Sequence, residues 1–177
     1  MNKKLIFISF ALLLVLVPFY IIFNSESILE NGHQHKLRLE GYDPFDPFRG
    51  KYIRLNYDFD SPCEKGFKDG DEGFVVLEKD ATGFSHFSMV TKQQPKHSDY
   101  IKCKVNYVFD DKCVIAIENI GKYFINENKA VDAEKLLTNI AENDVDKTYA
   151  TIRVLDGECR LEEVYVKDKP LKTFFEK

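Results

Sequence analysis

Nineteen consecutive uncharged residues, Leu5 to Phe23, follow the lysine pair Lys3 and Lys4 at the start of the chain. Coiled at about 1.5 Å per residue, a run of that length nearly matches the roughly 30 Å hydrocarbon core of a bilayer. A helix apolar on every side seldom suits a small β-rich domain, whereas lipid satisfies it. A cleaved signal peptide is the competing reading, but its apolar region spans about 7–15 residues and ends in a small-x-small site. Here Tyr20, Ile21, Ile22 and Phe23 are all bulky, and no cysteine follows closely enough to carry a lipid. Pro18 mildly favours cleavage, although membrane helices tolerate proline. The expectation is an uncleaved single-pass anchor in the cell membrane. Lys3 and Lys4 sit on its cytoplasmic side by the positive-inside rule, with acidic Glu26 and Glu30 beyond its other end.

Dividing the chain at Phe23 changes its charge. The whole chain of 177 residues is net −4, but the 154 residues after Phe23 carry 23 basic and 29 acidic side chains, net −6. That length can bury one core. An acidic domain lacks the basic footprint that neutralises nucleic-acid phosphates, so no nucleic-acid partner is expected. It also gains nothing from anionic headgroups, which leaves the Leu5–Phe23 helix as the expected tie to the membrane.

The expected organisation is a cytoplasmic tail over 1–4, the anchor over 5–23, a polar linker over 24–34 and an extracytoplasmic domain over 35–177. Strand alternation recurs through that domain. Leu37 and Leu39 alternate with charged residues, and Ile53, Leu55, Tyr57 and Phe59 mark one half-buried strand. Residues 61–73 are turn-like, Phe74–Leu77 and Phe84–Val90 read as strands, and Asp80–Gly83 turns between them.

Two hairpins are predicted with registers. Ile101, Cys103, Val105, Tyr107 and Phe109 share one face, and a two-residue turn at Asp110–Asp111 sets Cys113 across from Val108. Asp156–Gly157 suits a type I′ turn, which places Leu155 opposite Glu158 and aligns Ala150, Ile152 and Val154 with Cys159 and Leu161. Between these hairpins, Ala133, Leu136, Leu137, Ile140 and Ala141 fall on one side of a helix. The fold class is therefore mainly β, an antiparallel sandwich or partly open barrel with one packed amphipathic helix, plus the N-terminal transmembrane helix.

The most distinctive segment is Tyr42–Tyr57, YDPFDPFRGKYIRLNY. Each Asp-Pro pair restricts the residue before proline and starts a turn, and Gly50 permits close backbone approach where the next strand begins. The tail Gly50-x-Tyr52-x-x-Leu55-x-Tyr57 resembles the signature of the GDYXXLXY family, with Lys51 where the family name has Asp. The preceding run through Asp43, Asp46 and Arg49 is similar to that family as well. A weaker likeness lies in Lys122–Asn128 around Glu127, and the closing hairpin Tyr149–Val166 also looks like the family's. The resemblance implies a membrane-anchored protein with an outer domain. It supplies no catalytic residues to carry over, and the charge reversal at Lys51 removes any acidic role there.

Candidate site residues are accordingly Asp43, Asp46, Arg49, Gly50, Tyr52, Leu55, Tyr57 and Glu127, in motif or binding roles. Tyr52 projects opposite to Leu55 and Tyr57, so Tyr57 is expected in the core with its hydroxyl at an edge. Asp43, Asp46, Asp58 and Asp60 around Arg49 could ligate a hard cation, but the favoured reading is that Asp43 and Asp46 cap turns while Arg49 pairs with one of them. Asp69–Gly73 lacks the spacing of an EF-hand loop. His33 and His35 could offer two metal ligands on one face of an extended segment, with His86 and His97 as further candidates, but no third ligand has readable spacing. Glu118 and Glu127 could serve as a carboxylate pair only if the fold brought them together. No Ser-His-Asp pattern or phosphate-cradling loop is legible, and neither a cofactor nor a metal is expected.

Cys63, Cys103, Cys113 and Cys159 allow three complete pairings, which the sequence cannot separate. The hairpin register disfavours a Cys103–Cys113 bridge, and Cys103 and Cys159 could equally be buried free thiols. One or two disulfides at most are expected. The function that fits is a membrane-anchored binding or accessory module for a membrane-protein partner. The alternative is a membrane-tethered metal-dependent hydrolase.

Overall fold

The computed structural model describes residues 3–40, 52–126 and 147–175, with Lys129, Asp132, Ala133, Lys135, Leu136, Leu137 and Ile140 between them. A single helix, α1 (Lys3–Asn31), opens the chain. Its stretch Ile6–Asn31 is long and apolar enough to cross a membrane, with a mean hydropathy of 2.8 and none of its apolar window buried. Residues 24–34, polar enough to read as a linker, are not a slack spacer: α1 runs on to Asn31 and β1 (His33–Arg38) starts after one residue. The reason is tertiary. Ile28 is 2% exposed, packed where the helix end meets the sheet.

Among the described residues, nine strands form one sheet in the order β11-β10-β9-β1-β5-β4-β6-β7-β3. Their ranges are β3 (Asp60–Pro62), β4 (Glu72–Lys79), β5 (Ser85–Thr91), β6 (Tyr100–Phe109), β7 (Lys112–Ala116), β9 (Thr148–Leu155), β10 (Glu158–Val166) and β11 (Lys169–Pro170). A separate two-stranded ribbon pairs β2 (Tyr52–Arg54) with β8 (Lys122–Phe124). Every ladder is antiparallel except β1 with β5. The sheet rolls so that β3 returns to β5, where Ser61 donates to the Phe87 carbonyl, Glu64 N–H donates to the Val90 carbonyl and Cys63 bridges Val90. Among the described residues no continuous ladder joins them, so the roll stays open. The fold is thus the mainly β class with an incompletely closed sheet. The described residues of the helical stretch are helical, with Ala133 and Leu137 buried and Asp132 and Lys135 exposed.

The β9–β10 hairpin has the register that its turn residues dictate. Asp156 and Gly157 have φ of 51° and 81°, as a type I′ turn requires, and Leu155 faces Glu158. In the β6–β7 hairpin Val108 faces Cys113 as expected, but the alternating face does not persist. A register shift between Val105 and Tyr107 turns the strand over. Ile101, Cys103 and Val105 are buried, while Tyr107 and Phe109 are 54% and 72% exposed. A bulge adds one residue to one strand and so reverses every side chain beyond it.

The single strand expected over Ile53–Phe59 is likewise divided. Its alternation survives in burial, with Ile53, Leu55 and Tyr57 all under 5% exposed. Its backbone, however, changes partner: Leu55 N–H donates to Gly121, and Ile115 N–H donates to Phe59. Burial follows side-chain period, whereas strand assignment follows which backbone lies alongside.

Candidate functional site

Tyr52, Leu55 and Tyr57 are the signature residues that the structure describes; Asp43, Asp46, Arg49, Gly50 and Glu127 lie outside the described residues. Tyr57 is 3% exposed, and its hydroxyl donates to the Ile120 carbonyl at 2.9 Å, which meets the need of a buried phenol for a partner. Burial pushes that hydroxyl far above its usual pKa, so it stays protonated and structural. Phe59 packs edge-on to Tyr57 and stacks on Phe87, carrying the core on toward β5. Leu55 is buried in the same core.

Tyr52 points the other way. It is half-buried, edge-on to Phe124 across the β2–β8 ribbon, with the Lys122 ammonium 5.0 Å from its ring centre. The ribbon overhangs a half-open cleft of about 980 Å³. One wall comes from β7 and the chain after it, including Ile115, Ile117 and Glu118. The opposite wall is Arg160, Leu161 and Glu162 of β10. These residues lie at a bulge in β10, where its register with β9 shifts between Leu161 and Glu163. β11 pairs only with Tyr165 and Val166, so among the described residues the outer edge of β10 from Glu158 to Glu162 has no strand partner.

Charge in the cleft is mixed, with Arg54, Lys122 and Arg160 against Glu118 and Glu162. Burial raises the Glu162 carboxyl, but Gln34 and Arg153 outweigh it, and the group is held below its usual range. Arg153 meets it at 2.9 Å. Arg160 ties the cleft to the anchor: its Nε donates to Ser25 Oγ at 3.2 Å, two residues beyond Phe23. Arg153 donates to the Gly32 carbonyl at 3.2 Å. Thus two hydrogen bonds join β10 and its neighbour β9 to the end of α1, the helix long and apolar enough to cross a membrane.

The other candidates resolve into separate roles. Asp58 accepts from the Asp60 amide and Asp71 from the Lys68 amide, so these two carboxylates serve turns, whereas Asp69 accepts from the Val108 amide of β6 across the fold. His33 and His35 do share one face of β1, and both reach Asp99, at 2.9 and 3.0 Å. Ser85 completes a hydrogen-bonded row with His35. Sequence spacing could not find this row, because Ser85 and Asp99 come from β5 and the chain before β6. The Ser85 side chain lies 3% exposed and offers no approach to a substrate. Among the described residues no group of three or more His, Cys, Asp or Glu has the geometry to hold a metal ion.

Cys63 and Cys113 form a disulfide that closes a separation of 50 residues, while Cys103 and Cys159 are buried free thiols. Burial pushes both free thiols up to about 12, which leaves them inert as nucleophiles. A family model described as GDYXXLXY protein matches residues 14–164. No curated protein and no solved structure matches the chain.

Proposed function

The chain belongs to the GDYXXLXY family, and on that premise we propose that it is a single-pass, membrane-tethered binding module whose cleft receives an extended segment of a membrane-protein partner. The observation that carries this is the union of anchor and cleft, since Arg160 lines the cleft and bonds the helix end at Ser25. An exposed strand edge offers its backbone groups to an added strand, and side-chain pockets beside it give selectivity. Tyr52 and Phe124 supply an aromatic rim, and Phe124 is 73% exposed. The motif residues Asp43, Asp46, Arg49 and Gly50 lead directly into that rim in sequence.

Topology follows in the same proposal. Lys3 and Lys4 lie in the cytoplasm and the β-domain lies outside, where an oxidising compartment sustains the Cys63–Cys113 disulfide. A photo-crosslinking amino acid placed at Phe124 in native membranes tests the partner. The expected result is a discrete adduct with an integral membrane protein. A control probe at Phe109, 72% exposed on the far end of β6, should give none. Equal labelling at both positions, or none at Phe124, would sink the proposal.

A further inference from the structure

The nine-stranded sheet is joined in its middle by a thin seam. β1 and β5 run parallel and share the single register pair Leu37 with Ser85, whereas β1–β9 and β4–β5 each pair six residues. Side chains supply the rest of that seam, and a second, separate backbone contact joins the halves where Lys102 N–H donates to the Gly157 carbonyl at 2.9 Å. His33 and His35 belong to the half that carries α1, while Ser85 and Asp99 belong to the other half. Asp99 is fixed there because its carbonyl accepts from Leu77 N–H at 2.9 Å.

The carboxylate of Asp99 can only accept, so His33 Nδ1–H donates to Oδ1 at 2.9 Å and His35 Nε2–H donates to Oδ2 at 3.0 Å. In a neutral imidazole the remaining nitrogen must then accept. His35 Nδ1 therefore accepts a hydrogen bond from the Ser85 hydroxyl, with Oγ at 2.9 Å. Every donor in the row has an acceptor in that protonation state. A second proton on His35 turns Nδ1 into a donor and leaves a cation on a side chain only 3% exposed.

We propose that the His33–Asp99–His35–Ser85 row is a proton-operated latch across the β1–β5 seam, closed while His35 is neutral and released when His35 takes up a proton. The surroundings of His35 oppose the charge on balance. From β1 it faces His33, from β4 Lys79, from β5 the neutral Ser85, and from β9 the apolar Ile152, its register partner. Asp99 alone attracts a proton there. Burial lowers the His35 pKa below its ordinary 6.5, and Lys79 and His33 add to that against the pull of Asp99. Burial raises Asp99 in turn, but its bonds and charges with His33 and His35 prevail and hold it below its usual value. Asp99 therefore stays ionised while His35 titrates. A depressed native pKa contributes closure that is fully present above 6.5 and is lost as pH falls below that value.

The test uses the full chain in nanodiscs. Imidazole carbon shifts report the His35 titration, and amide exchange corrected for intrinsic rates reports the seam at pH values of about 7.5 and 5.5. His35 should titrate below 6.5. Protection of β1 and β5 amides should fall by up to about tenfold per pH unit below that point, the limit for one proton. The β6–β7 ladder should keep its protection. His35→Gln, which cannot titrate, should abolish the seam's pH response. Titration of His35 at or above 6.5 would overturn the latch, as would equal loss across both halves or a variant retaining the wild-type response. The first measurement needs no variant, so a poorly folded His35→Gln still leaves the idea decidable.

Discussion

The two halves of the sheet hold together by different means. The half containing β1, β9, β10 and β11 is clamped onto a long helix, with Ile28 seated at the junction and Arg153 and Arg160 bonding Gly32 and Ser25. The half containing β3 to β7 carries the Cys63–Cys113 disulfide between β7 and the end of β3. A short strand such as β3, paired over three residues, gains little from its ladder, and a covalent link compensates. The seam between them is lighter than either half. Besides the histidine row, Arg38 bonds Asp80 at 2.6 Å and lies 4.2 Å from the Phe84 ring, which packs edge-on to Tyr149 of β9.

The largest effect expected from breaking this division is loss of the disulfide. Cys63→Ala with Cys113→Ala should lower stability by about 4 kcal/mol, the chain-entropy value for a loop of some 50 residues. Urea unfolding measures the loss, and amide exchange should locate it first in β3 and β7. A uniform loss across both halves would show that they unfold as one unit.

Gly32→Ala probes the opposite device. An added Cβ would lie 2.5 Å from the Ile28 carbonyl oxygen and 3.0 Å from the Val154 nitrogen, both backbone atoms that cannot step aside. The expected cost is about 1–3 kcal/mol, typical of overpacking. Its exchange signature should fall in β1 and β9 and spare β6 and β7.

Arg38→Met should have the smallest effect, a slight fall in the urea midpoint confined to the seam at neutral pH. Because Arg38 is not part of the histidine row, the variant should keep the pH response that His35→Gln loses. If Arg38→Met removes that response as well, the seam acts as a single network rather than as two independent contacts.

Much of this fold is legible in the sequence where the signal is local. The Asp156–Gly157 turn gives its hairpin register because two positive φ values allow few other closures. The apolar run gives α1 because length and composition suffice. The β6 face is misread beyond Val105, since a bulge leaves no mark in the apolar period. The Ile53–Phe59 segment keeps its predicted burial but not its single strand, because its neighbours arrive from distant parts of the chain.

The sequence by itself determined a helix long and apolar enough to cross a membrane, a mainly β domain of acidic charge, and an inward set of signature residues including Tyr57. Those follow from composition and from periods of two and 3.6, which need no knowledge of neighbours. Only the tertiary structure decided which cysteines meet, that among the described residues the edge of β10 from Glu158 to Glu162 has no strand partner, and that two histidines, an aspartate and a serine from separate segments form one row. Each of those is a juxtaposition of residues far apart in the chain. Their contacts depend on how strands order themselves in the sheet, and no local pattern encodes that order.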